Sequence, residues 1–192
     1  MQESNLGRIG WRGWLMAWWR GAKNTGEPVQ TGIGGDDKVG VWAALEACLR
    51  EHHGAGPKVA AFFPTDEEIG CVGTNAFVKS GAGKEATGSA RCFLQLDRRG
   101  DGDAIEHTNG IPVWTPMFRE LVKEPMGKFG FEPCHGSLTD IGELARATGK
   151  PAMNISSGYH NAHSDREVVS VPQAMNSLAF AFAVTDSVNS FE

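Results

Sequence analysis

The chain has 192 residues, with 18 Lys+Arg against 23 Asp+Glu for a formal charge of −5. That length is one domain by default, able to bury roughly 70 % of the surface its unfolded form exposes, and an apolar share of 41 % excludes a disordered chain. The mild acidity leaves no basic stripe for phosphates, which argues against a nucleic-acid binder, and no apolar run reaches the roughly 18 residues of a membrane span. Cys48, Cys71, Cys92 and Cys134 are far apart and form no CxxC pair. They read as reduced thiols of a cytoplasmic protein and not as a zinc framework.

In chain order, residues 1–30 stand apart as a Trp-rich segment. Trp11, Trp14, Trp18 and Trp19 sit among Arg8, Arg12 and Arg20. On a helix, positions 11, 14, 15 and 18 make one apolar stripe, suited to packing against the domain, to a partner, or to a membrane surface at residues 8–20. From residue 31 to 192 one domain is expected. Residues 37–53 have helical spacing (Val41, Ala44, Leu45, Cys48, Leu49) with Gly54 as a stop. Residues 58–64 (KVAAFFP), 92–97 (CFLQLD) and 151–156 (PAMNIS) are apolar runs of strand length. Residues 81–89 read as a Gly-rich surface loop. Helices are expected over 115–129, over 138–148 with Gly149 as its stop, and over 172–188, which is apolar on more than one face and so well buried. Strands alternating with helices predict an α/β fold, a mainly parallel mixed sheet sandwiched by helices.

The chemistry gathers at strand ends, where such sheets bind ligands. Asp36 and Asp37 precede the first helix in TGIGGDDKVG. Glu67 and Glu68 follow the 58–64 run in TDEEIG, Asp97 ends the next, and His160 and His163 follow the third in SSGYHNAHSDREVV. Carboxylates and imidazoles together suit Zn²⁺, Mn²⁺ or Co²⁺. A carboxylate can bridge two such ions about 3.5–4 Å apart, and an adjacent Glu-Glu pair can supply one ligand and one proton acceptor.

GIGGDDKVG, TDEEIGCVG, LDRRG and GYHNAHSDREVV, in that order, resemble the sequential motifs of the co-catalytic zinc exopeptidases, especially the peptidase T-like and aminopeptidase-like members, across roughly residues 31–185. The resemblance implies two divalent metal ions, zinc first, with manganese or cobalt as alternatives. It implies Asp36 as the bridging carboxylate, with a cis Asp36–Asp37 peptide as in relatives. Glu67 would be the general base, Glu68 and His163 ligands of one metal, and Asp97 a ligand of the other. The implied activity is hydrolysis of an amide bond in a small peptide or acylated amino acid. His160 falls outside the ligand set, and Asp140 is expected to cap its helix.

The sequence departs from the family in two ways. The upstream His-x-Asp motif, whose histidine binds Asp97's metal in relatives, has no counterpart, so the chain is expected to begin after it. Only 66 residues separate Asp97 from His163, so no lid or dimerisation domain is expected between them. For the missing histidine, His52 and His53 end a helix roughly 20 Å or more from its start; His107, His135, water or another chain remain open, as does a one-metal site. The contrasting function is an inactive, truncated relative that binds metal or a protein partner, its free sheet edge favouring association with further copies. Met117, Met126, Met153 and Met175 read as core fillers.

Overall fold

A computed structural model describes residues 29–30 and 34–191, with side chains from residue 34 onward. Residues 1–28 of the Trp-rich segment 1–30 lie outside the described residues, and its last two, Val29–Gln30, form a strand. The elements in chain order are β1 (Val29–Gln30), α1 (Gly35–His52), α2 (Val72–Lys79), α3 (Gly81–Gly88), β2 (Phe93–Arg98), β3 (Asp103–Thr108), β4 (Ile111–Pro112), α4 (Pro116–Phe129), β5 (Glu132–Gly136), α5 (Asp140–Thr148), β6 (Ala152–Ser156), β7 (Tyr159–His160), β8 (Val168–Val169) and α6 (Val171–Ser190).

The main sheet is mixed and runs β2-β6-β3-β4, with β5 also on β3. The β2–β6 and β3–β5 ladders are parallel; β3 meets β6 and β4 antiparallel. All five residues of β6 are buried, the signature of a strand covered on both faces. The α/β reading is thus correct, and the antiparallel neighbours come from β3, which the sequence pattern did not reveal. A small antiparallel sheet, β1-β8-β7, sits beside the start of α1. Between Asp97 and His163 the chain is taken up by β3 to β7 and their helices, with no lid insertion.

Local chemistry explains the helices. The Thr115 hydroxyl accepts from the Phe118 amide at 3.1 Å, Pro116 opens α4, and Gly130 ends it at φ 73°. Gly149, at φ 69°, ends α5. Helix α6 buries Leu178, Phe180, Ala181, Phe182 and Val184, which lie on several sides of it, as its continuous apolar composition predicts. The core joins Phe118, Val122 and Met126 of α4 to Ala104, Met153 and Ile155 of the sheet and to Phe180. Phe131 and Phe180 stack with ring centroids 4.1 Å apart. Met126 and Met153 are core residues, whereas Met117 is exposed. Among the described residues no helix is long and apolar enough to cross a membrane.

Two expectations need correction. Residues 58–64 are not a strand: they have no ladder partner among the described residues, and an apolar run becomes a strand only when its amides and carbonyls find one. Phe62 stacks on Phe77 instead, ring centroids 4.1 Å apart. Residues 81–88 are helical and not a loop. Their low intrinsic propensity is offset at both ends. Ser80 caps the Gly83 amide at 2.9 Å, and the Lys150 ammonium donates to the Thr87 and Gly88 carbonyls at 2.6 Å each.

Candidate metal centre

The start of α1 is held in place from the far end of the chain. The Gly35 and Asp36 amides donate to Oε2 and Oε1 of Glu167 at 2.7 and 2.9 Å. The carboxylate thereby satisfies two backbone amides at Asp36 and just before it, where Asp36 and Asp37 depart from helical φ/ψ. Gly35 permits this approach, since a Cβ there would lie 2.7 Å from the Val169 side chain. The Asp36–Asp37 peptide is cis, as the resemblance implies. Asp37 folds back, and its Oδ1 accepts the Gly40 amide at 2.9 Å. Burial, then the Asp97 charge, hold the Asp37 carboxyl well above the ordinary carboxylate range.

The loop carrying Glu67 and Glu68 is wound onto α2. Its turn rests on Gly70 and Cys71 amides donating to the Glu67 carbonyl at 3.0 and 2.9 Å, and on the Gly73 amide donating to the Thr65 carbonyl at 3.0 Å. A side chain on Gly73 would collide with the Thr65 backbone, so glycine lets the loop close. The loop after β7 is braced in a similar way. The Ser164 hydroxyl donates to the Asn161 carbonyl at 2.6 Å, the Asn161 side-chain amide donates to the Arg166 carbonyl at 3.1 Å, and His163 adopts φ 60°.

These loops bring Asp36, Glu68 and His163 together. His163 Nε2 lies 3.3 Å from Asp36 Oδ2 and 3.6 Å from Glu68 Oε1, and the three donor atoms all fall within 4.8 Å of one another. Donors about 2.0–2.1 Å from one tetrahedral ion stand about 3.3–3.4 Å apart. The spacing and the mixed carboxylate–imidazole chemistry therefore fit a divalent cation such as Zn²⁺. Asp36 also faces Asp97, which completes a run of carboxyls from Glu68 to β2. Burial, then the Asp36 charge, push the Asp97 carboxyl above its ordinary range. Tyr159 and Gln95 donate to its oxygens at 3.2 and 3.0 Å. Asn154 accepts the Asp97 amide and donates to its carbonyl, at 3.0 and 2.9 Å, fixing the strand end in position.

Glu67 lies close to this cluster. Burial first, then the charges of Asp97, Asp140, Glu68 and Asp36, push its carboxyl up to about 7. A carboxyl near neutrality can accept a proton and return it. Asp140 does not cap its helix: Thr139 occupies the N-cap position, and Asp140 is buried beside Cys71 and Thr74 under the Glu67 loop. Packing of α5 against that loop overrides the capping preference.

The other histidines lie elsewhere. His160 Nε2 pairs with Gln173 Oε1 at 2.6 Å. His52 and His53 are at the far end of α1. Asn154 pairs with both Gln95 and Ile105, from which Asp97 and His107 extend two residues each in opposite directions. His107 is therefore about 13 Å from Asp97 along the strands, with His135 beside it on β5. Neither supplies an imidazole at Asp97. Glu167 carried one sequence signal, an acid in DREVV, but only the pairing of β8 with β1 and β7 puts it at α1. Glu167→Ala is expected to cost on the order of 2 kcal/mol in denaturant unfolding and to weaken divalent-metal affinity through Asp36. Unchanged unfolding and affinity would show that the anchor is idle.

No family model matches the sequence, and no curated protein does. Solved structures do match. One is a TET aminopeptidase from the marine sediment archaeon Thaumarchaeota archaeon SCGC AB-539-E09, with a TM-score of 0.62 and 17 % identity over 82 % of this chain and 50 % of that one. Another is yeast aminopeptidase 1, with a TM-score of 0.51 and 13 % identity over 85 % of this chain and 48 % of that one. The likeness is one of fold: the chain has the α/β architecture of these aminopeptidases and spans about half the length of each.

Proposed function

We propose that residues 31–192 form the catalytic domain of a metal-dependent hydrolase that cleaves an amide bond in a small peptide or acylated amino acid. The observation that carries this reading is the convergence of Asp36, Glu68 and His163, donors from three separate loops, within 4.8 Å of one another and beside Glu67. The aminopeptidase-like fold supports it. Asp36, Glu68 and His163 would hold one ion, and Asp36 with Asp97 a second; zinc suits the donor set best, manganese or cobalt next. Such an ion, when bound, supplies positive charge that polarises a scissile carbonyl and acidifies an attacking water. Glu67 takes the water's proton and delivers it to the leaving amine, while Glu167 and Asn154 fix the positions of Asp36 and Asp97. The four free cysteines support a cytoplasmic setting.

One observation favours a second reading, a relative that binds metal or a partner without catalysis: among the described residues no imidazole stands beside Asp97. Chelator stripping followed by Zn²⁺ titration and assays on aminoacyl anilides and N-acyl amino acids separates the two. Zinc-restored hydrolysis is the expected result. Tight binding without hydrolysis of any of these substrates would favour the second reading.

A further inference from the structure

A second group of metal-type donors lies on the opposite part of the sheet. On β3 and β5, Ile105 pairs with Cys134 and His107 with His135, so Glu106 is an extra residue in the ladder. Neighbouring residues of a regular strand point to opposite faces, whereas a bulge re-aims one of them. Here Glu106 Oε1 lies 3.6 Å from His107 Nδ1. The His107 and His135 rings stand with centroids 4.5 Å apart, and donor atoms of Glu106, His107 and His135 all fall within 4.8 Å of one another.

The environment is built to present these donors. Arg119 of α4 forms an ion pair with the other carboxylate oxygen of Glu106 and sits over the Trp114 ring, 5.5 Å from its centroid. That pairing orients Oε1 toward the histidines, as outer-sphere partners orient metal-binding carboxylates. The Nδ1 atom of His107 is buried and makes no hydrogen bond. Its 3.6 Å contact with Glu106 Oε1 is too long for a hydrogen bond, and a buried ring nitrogen that lacks one costs stability unless a proton donor, acceptor or cation meets it. Two imidazoles and one carboxylate are a donor set for zinc, with the fourth tetrahedral position left to solvent on the exposed His135 side.

We infer that Glu106, His107 and His135 form a second, separate site for a Zn²⁺-class divalent cation, one that clips β5 to the bulge of β3. It is independent of the centre at Asp36, and its ligands play no part in the hydrolysis proposed above.

The test is calorimetric Zn²⁺ titration of the full chain and of a His107→Gln/His135→Gln variant. The variant is expected to bind one equivalent fewer; equal stoichiometry would overturn the inference. In an Asp36→Asn/His163→Gln background one equivalent should remain, and adding His135→Gln should weaken it about tenfold or more. His135 is exposed, so that change leaves the core intact. Absence of zinc binding in this background, with the fold retained by circular dichroism, would also overturn it. Loss of hydrolysis in that background concerns only the Asp36 centre.

Discussion

Glu67→Gln is expected to lower turnover by about 10²–10⁴ while leaving metal stoichiometry unchanged. Glutamine keeps the volume and hydrogen-bonding capacity of the side chain but has no basic oxygen to accept a proton. The expectation rests on where the carboxyl lies. It is half-buried beside Asp97, Asp140, Glu68 and Asp36, and burial first, then these charges, push it up to about 7, whereas an isolated glutamate titrates well below neutrality. Removing one acid from this crowd relieves repulsion, so the metal-free variant should unfold no more easily than the parent. Near-normal turnover in the Glu67→Gln enzyme would exclude Glu67 as the base. Lost turnover with lost metal would instead assign it to the ligand set.

The metal-free protein is expected to be more stable at pH 5 than at pH 8, opposite to the usual behaviour of salt-bridged carboxylates. Asp37, Asp97 and Glu67 all titrate above their unfolded values, chiefly through burial. Across the interval between the unfolded and folded values, the native state binds more protons than the unfolded one. Stability is then greatest below the unfolded carboxylate range, near 4, and is lost as pH rises through the folded values. For Glu67 the loss falls between about 4 and about 7. Divalent metal should narrow or reverse the trend, because coordination needs ionised carboxylates and neutral imidazole, and binding strengthens as protons leave. Melting temperatures of stripped and zinc-loaded protein at both pH values test this. Asp37→Asn, which keeps an acceptor for the Gly40 amide, should flatten the stripped curve. Stripped protein that gains stability from pH 5 to pH 8 would contradict the argument.

Elements with a local signature were legible. Helix α5 has its stop glycine, α6 its continuous apolar composition, and β2 and β6 their short apolar runs. Strands β3 (DAIEHT) and β5 (EPCHG) are polar or interrupted by Pro133. They are strands because they pair with each other and β3 with β6, a property no local window contains. The acids of the candidate centre were legible as residues at strand ends and helix starts, and the structure brings Asp36, Glu68 and His163 together. What holds them was not. Glu167 reaches its target 132 residues away through a small sheet, and Asp140 finds its surroundings only when α5 packs on the Glu67 loop.

That long-range anchor also sets the order in which the centre can be assembled. Asp36 and Glu68 lie in the first half of the chain, whereas His163 and Glu167 come from a loop after β7. Closing such distant segments carries an entropic cost that local helices do not bear. The donors are therefore expected to converge only after most of the sheet exists, with partly folded chains presenting them singly. Metal affinity would then report complete folding, because an ion that requires all three donors would stabilise the finished arrangement over every incomplete one.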